Sequence, residues 1–517
     1  MSDELRPRIA DPGRVAERLS AIDGSFLRVE TRNAHMHVAW SATFRLEGGR
    51  PRPTLSRLRR HIAARLDLVP RFRRRLAYPP RGMGEPFWVD DPEFDVSRHV
   101  LELGMPNTEL DDRRFAFLCD RVLSEPLPRD RPLWEIRLAP RLGGGRCGLV
   151  ARVHHALVDG KSALEVALLL FDTDREAAPA IPSRWEAESP PGAARLAAGA
   201  LASVPGESLR AARSAVRLAG EPRASASRFA GTLRRAALAA GEDLLRPAPA
   251  SVLNARIGPR RTLVRHSLPI ADVLAVKRRM GVTLNDVCLA MAAGALRDLA
   301  IARGERPAAL KAMVPVSVRD PEQDASLGNR ISFAFLDLPL DVASPQRRVA
   351  RLHTATAAFK RGGKPAGAEA VLGALGVLPD PLRTMAARVV ASPRLYNLTI
   401  SNVPGPRTPV YMLGAELLEA HPVVPIAEGH VLSIGIFSHG ETLSFGLYAD
   451  PEAFPQVDEL PQALDTSLRE LLLPQWVKRA RGRRAASRRR PPRDRGSRDR
   501  IRSSDHGPGR RDRPRPR

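Results

Sequence analysis

His154-His155-Ala156-Leu157-Val158-Asp159-Gly160 closes the apolar run Cys147-Gly148-Leu149-Val150-Ala151-Arg152-Val153, and this join decides both the fold and the chemistry. The run is short, β-branched and apolar, and it follows the turn signal Gly143-Gly144-Gly145, so it predicts a buried strand. Successive residues of a strand point to opposite faces. His154 and His155 therefore cannot converge on one small centre, which argues against a two-histidine metal site. One imidazole is left for chemistry and the other for packing. A neutral imidazole suits removal of an alcohol proton near neutral pH, because its ordinary pKa of about 6.5 lies close by. Gly160 lets the following turn bring backbone close to a ligand. The stretch reads as a general-base site.

Composition bounds the rest. A chain of 517 residues has room for about three domains of ordinary size. Cys119, Cys147 and Cys288 are an odd set without a CxxC pair, so neither a disulfide framework nor a zinc site is expected, and a reduced cytoplasmic compartment is. Met1 to Ser20 lacks an apolar core, and no run of about 18 apolar residues occurs, so no secretory signal and no membrane-spanning helix are expected. The net charge of +25 suggests nucleic-acid binding until its distribution is read. Lys478 to Arg517 holds eighteen Lys or Arg against four Asp, a net +14. This tail is nearly free of apolar residues and reads as disordered. It suits anionic lipid headgroups, non-specific contacts with nucleic acid, or plain solvation.

From about Glu176 to Pro249, Ala, Arg, Pro and Ser dominate, which marks an interdomain connection. Inside it, Phe229, Leu233, Ala236, Ala237, Ala240 and Leu244 recur at helical spacing, with Arg228, Arg234 and Arg235 mostly off that stripe. Such a basic amphipathic helix either packs on its own protein or lies in a membrane interface. Strand-like runs follow at Ala312 to Val318, Ile331 to Leu338, Leu398 to Ser401 and Leu443 to Tyr448, alternating with helical stretches. The mixture predicts two α/β halves, each with its own core. The expected division is 1–175, a connection over 176–256, a second domain over 257–475 and the tail from 476.

The histidine stretch resembles the HHxxxDG signature of the CoA-dependent acyltransferases. Further blocks resemble the bacterial wax ester synthase/diacylglycerol acyltransferase family. Leu19 to Phe26 followed by Met36-His37-Val38 resembles that family's opening strand, and Pro132-Leu133-Trp134-Glu135 its aromatic element. Leu284-Asn285-Asp286-Val287 resembles its Asn-Asp element at the start of a helix. Val314 to Arg319, Gly328 to Ile331 and Ser401 to Pro406 resemble further strand and turn blocks, so the likeness runs from about residue 15 to about 475.

The resemblance implies a two-domain α/β fold of the chloramphenicol acetyltransferase type, with a tunnel at the domain junction. It makes His155 the base and His154 and Gly160 its support. Asp159 is implied to be structural, ion-paired to a distant arginine. It implies direct transfer of a long-chain acyl group from acyl-CoA, a co-substrate rather than a cofactor, to diacylglycerol or a long-chain alcohol. It also suits a peripheral place at the inner membrane face or on lipid inclusions. Asn285 and Asp286 are expected near the oxyanion or substrate, with helix capping as their alternative. Lys311, Arg319 and Arg330 are candidates for the CoA phosphates. No G-x-S-x-G elbow is present, so no acyl-enzyme is expected. A peptide-synthetase condensation domain would share the signature but adjoin carrier and adenylation domains. A carrier-bound donor and a non-catalytic lipid-binding relic of the fold are the other readings.

Overall fold

Arg146–His154 (β7) is buried on both faces in the computed structural model, as its apolar sequence requires. Cys147, Leu149, Ala151 and Val153 turn into one core, and Val150 turns into another. Arg152 interrupts this apolar run, and its guanidinium donates to the Val122 carbonyl at 2.7 Å and to Glu135 at 3.1 Å. A buried charge is tolerated only when paired and hydrogen-bonded in this way. The structure describes residues 16–48, 50–80, 84–157, 169–177, 184–200, 246–317, 331–361, 384, 387–388 and 390–473. The basic tail, the stripe from Phe229 to Leu244, Asp159, Gly160, Arg319 and Arg330 lie outside these residues.

The remaining strands are Glu17–Arg18 (β1), His37–Arg45 (β2), Arg74–Ala77 (β3), Phe87–Asp90 (β4), Val100–Glu102 (β5), Trp134–Leu142 (β6), Thr262–Pro269 (β8) and Leu310–Ser317 (β9). They continue with Ile331–Leu338 (β10), Leu398–Pro404 (β11), Tyr411–Met412 (β12), Ala415–Val423 (β13), Leu432–His439 (β14) and Thr442–Ala449 (β15). The helices are Ala21–Val29 (α1), Leu55–Ala63 (α2), Asp112–Ser124 (α3), Ile270–Met280 (α4), Leu284–Ala302 (α5), Pro345–Arg361 (α6) and Leu460–Leu472 (α7). One six-stranded sheet has the order β12-β13-β2-β7-β6-β5, a second has the order β10-β9-β11-β14-β15-β8, and a small third sheet has the order β1-β4-β3. Helices α4, α6 and α7 pack around the apolar α5 beside the second sheet. Among the described residues no helix is long and apolar enough to cross a membrane.

Two expectations change here. The opening segment around Leu19 to Phe26 is a helix rather than a strand. Ser20 caps it by accepting from the Asp23 amide at 3.0 Å, which commits the following residues to helical turns. The two halves also share a core. Phe115, Cys119, Val122 and Leu123 of α3 belong to the same apolar cluster as Val287 to Leu296 of α5 and Ile434 and Phe445 of the second sheet. Asp120 of α3 accepts from Thr262 and from the Leu263 amide of β8 at 2.8 and 2.9 Å, which ties the halves together at that point.

The chain also crosses between sheets. β12 and β13 come late in the sequence yet complete the histidine sheet, β13 running antiparallel to β2 from Glu416↔Arg45 to Val423↔Ala39. Where β13 ends, the Pro422 carbonyl lies over a pair of facing glycines, Gly435 of β14 and Gly446 of β15. A Cβ added at these positions would lie 2.6 and 1.9 Å from that oxygen. Both distances are well inside van der Waals contact, and backbone on both sides leaves little room for relief. Gly446→Ala is therefore expected to lower the unfolding free energy by about 3 kcal/mol or more, at the upper end of overpacking costs. Gly192→Ala, where an added Cβ meets nothing, is the control. Denaturant melts of the two variants check this, and equal midpoints would refute it.

Candidate active site

β7 ends at the two histidines, and the ladder continues through their backbones. The His154 amide donates to the Leu133 carbonyl at 2.9 Å and the His155 amide to the Met36 carbonyl at 2.8 Å. These bonds run to opposite neighbouring strands and fix the two side chains on opposite faces, as the alternation predicts. The Leu157 amide returns to the His154 carbonyl at 2.9 Å, so the chain turns immediately after the pair.

His154 is enclosed. Its Nδ1 accepts from the Ala156 amide at 3.0 Å, so the neutral ring carries its proton on Nε2, which faces Glu30 Oε2 at 3.4 Å. Burial pushes its pKa down to about 3, and the Arg129 guanidinium, which also pairs with Glu30, pushes the same way. The His37 ring stands edge-on to it at 6.0 Å, opposite His154 in the ladder. His154 is a packing residue that shapes the turn.

His155 stands differently. It is only partly buried, and its ring lies flat against Phe26, with centroids 3.7 Å apart and planes 11° from parallel. Nδ1 is enclosed without a hydrogen-bond partner from another described residue, and no described residue bonds Nε2. Its pKa is lowered to about 4, chiefly by burial and further by His154, while its own backbone pulls the other way. At neutral pH this is an uncharged ring whose Nε2 lone pair no described residue uses. Such a group can take a proton from a bound hydroxyl.

The Asn-Asp element does begin α5, but its two residues differ in use. Asp286 is buried and fully engaged: it accepts from the Thr283 amide at 3.0 Å, from Thr356 at 2.7 Å and from His353 at 2.8 Å. With Thr283 it forms a capping box, so the capping alternative describes Asp286. Asn285 does not cap. Its Oδ1 accepts from Asn402 Nδ2 at 3.4 Å, which joins the Asn-Asp element to the Ser401-Asn402-Val403-Pro404 block of β11. Lys311 is not a surface cation. It is buried at 7% exposure and its Nζ donates to the Arg246 carbonyl at 2.6 Å, because its place on β9 turns it inward. Trp134 anchors the start of β6, with its Nε1 donating to the Phe72 carbonyl at 2.8 Å and its ring stacked on His99.

All three cysteines are buried, and burial raises Cys119 to about 11 and Cys147 and Cys288 to about 12. None is a ready nucleophile. Sequence reasoning did not single out Phe26, Glu30 and Arg129. The Ser20-x-x-Asp23 cap was the one available signal that Phe26 and Glu30 share a helical edge.

The sequence matches the wax ester synthase/diacylglycerol acyltransferase catalytic domain over residues 19–288 and the C-terminal domain of the same enzymes over residues 327–472. It is 31% identical over 462 residues to the "Probable diacyglycerol O-acyltransferase tgs1" of Mycobacterium tuberculosis, covering 88% of this chain and 95% of that one. The wax ester synthase/diacylglycerol acyltransferase from Marinobacter aquaeolei VT8 superposes with a TM-score of 0.62 at 24% identity, covering 88% of this chain and 98% of that chain. A mutant starter condensation domain of rhizomide synthetase, solved in complex with C8-CoA, superposes with a TM-score of 0.53 at 14% identity, covering 89% of this chain and 93% of that chain.

Proposed function

The chain belongs to the wax ester synthase/diacylglycerol acyltransferase family, and from that premise we propose that His155 is the general base of a direct transfer of a long-chain acyl group from acyl-CoA to a lipid alcohol. The protein is an O-acyltransferase acting on diacylglycerol or long-chain alcohols. The observation that carries the base assignment is the state of the His155 ring: partly exposed, uncharged, and with Nε2 unbonded by any described residue.

The step balances at this one nitrogen. Nε2 takes the hydroxyl proton as the alcohol oxygen attacks the thioester carbonyl. The tetrahedral oxyanion then collapses, breaking the carbon–sulfur bond, and the leaving thiolate recovers the proton from the imidazolium. An ester and free CoA result. Base catalysis of this kind supplies ~10²- to 10⁴-fold, so a donor to the oxyanion is also required. Asn285 is proposed for that region, because its amide oxygen is already held by Asn402 and leaves its N–H groups for another acceptor. Asp159 and Gly160 are proposed to hold the turn after His155, and the substrates are proposed to approach through the junction of the two sheets. Attachment at a membrane or lipid-inclusion surface belongs to this proposal too.

The test is thiol release from palmitoyl-CoA by the purified chain, with diacylglycerol or hexadecanol as acceptor and the neutral lipid identified chromatographically. Thiol release that depends on either alcohol and yields the matching ester is the expected result. Release without an acceptor, or none at all, would refute the transfer, and an acyl-pantetheine donor would then test a carrier-bound substrate.

A further inference from the structure

Both histidines are approached by one short helix. α1 brings Phe26 against the His155 ring and, four residues on, Glu30 against His154, so the residues at one edge of the helix and its C-terminal cap reach the two faces of the β7 end. The helix has little freedom to move. Ser20 caps its start, and the Leu19 amide donates to the Pro86 carbonyl at 2.9 Å. Arg28 pairs with the buried Glu85 at 2.8 Å, and a Cβ at Gly24 would lie 2.2 Å from the same carboxylate. After the helix, Thr31 donates to Glu428 of the second half at 3.1 Å. A phenylalanine set this firmly against a ring with no hydrogen bond to any other described residue limits how that ring can turn.

We propose that Phe26 is a positioning residue for His155: its ring face fixes the plane of the imidazole and screens one side of it from water. This rests on His155 being the base. Without hydrogen bonds from other described side chains, rotation about the Cα–Cβ and Cβ–Cγ bonds of His155 would carry Nε2 away from the reacting hydroxyl, and the flat contact opposes that rotation. Shielding also disfavours the charged ring, which keeps the base unprotonated as the pH falls. His154 is the titratable neighbour that acts on the ring, while Glu30, Arg129, His35 and His37 surround His154 on the other face of the strand.

The experiment uses the full chain with Phe26→Leu, Phe26→Ala and Phe26→Tyr. It reads kcat and KM for palmitoyl-CoA across pH, and separately the pH dependence of carbethoxylation at His155 by diethyl pyrocarbonate, mapped by mass spectrometry. Phe26→Leu and Phe26→Ala are expected to lose ~10- to 100-fold in kcat with KM changed less than about threefold. In Phe26→Ala the acid limb of both profiles is expected to rise by about one pH unit or more. Phe26→Tyr, which keeps the flat face, is expected to stay within about threefold of the parent. Folded Phe26→Leu with parental kcat, or folded Phe26→Ala with an unmoved carbethoxylation limb, would overturn the proposal. If the parent shows no acyl transfer, the functional reading fails, and the carbethoxylation limb alone decides the role of Phe26.

Discussion

His155→Ala is expected to reduce kcat for ester formation by about 10³-fold, the middle of the range for a lost general base, with a melting temperature within a few degrees of the parent. The ring makes no hydrogen bond to another described residue and is partly exposed, so its removal costs the contact with Phe26 and little else. His154→Ala should behave in the opposite way. That ring is enclosed and accepts the Ala156 amide, so its loss opens a cavity and leaves a buried N–H without its partner. A cost of about 2–4 kcal/mol in stability follows. Some activity is lost as well, because Ala156 then no longer holds the turn that carries His155. Thiol-release assays with parallel thermal melts separate the two histidines. A His155→Ala enzyme that keeps more than a tenth of the parental kcat would remove His155 as the base.

The contrast between adjacent histidines was legible in the sequence because it follows from alternation along a strand, and an apolar run after three glycines leaves little choice about the strand. The start of α5 was legible for the same kind of reason: Thr283 and Asp286 are a local cap. What escaped reading was decided between distant segments. Ala415 to Val423 is strand-like, but nothing local says that it joins the sheet of β2 rather than that of β14. The trace it leaves, Gly435 facing Gly446, becomes visible only once those two residues are known to be partners. Lys311 reads as a free cation until its strand turns it inward. The segment after Leu19 was assigned to the opening strand by family resemblance, whereas the local cap at Ser20 decides in favour of a helix. Phe26 was missed as a consequence, since a strand there would have put no helical edge against His155.

Acid is expected to destabilise this protein across the range in which a free imidazole would titrate. Burial pushes His154 and His421 down to about 3 and His430 down to about 4, from an ordinary value of 6.5, and it holds His37 well below that value too. The sign follows from proton counting. Between 6.5 and these depressed values the unfolded chain binds protons that the folded chain excludes, so stability rises with pH across that window and is lost as acid is added. Several buried rings act in this same direction, so their contributions add as the pH falls. The melting temperature should therefore be flat above about pH 7 and fall steadily below 6.5. In Phe26→Ala the acid limb should lie above the melting transition, and there the rate should fall while the protein remains folded. Thermal melts from pH 8 to 4.5 beside assays at each pH check both statements. A melting temperature unchanged down to pH 4.5 would mean that the buried histidines take up protons within the fold, and the description of His154 as a neutral ring would fail with it.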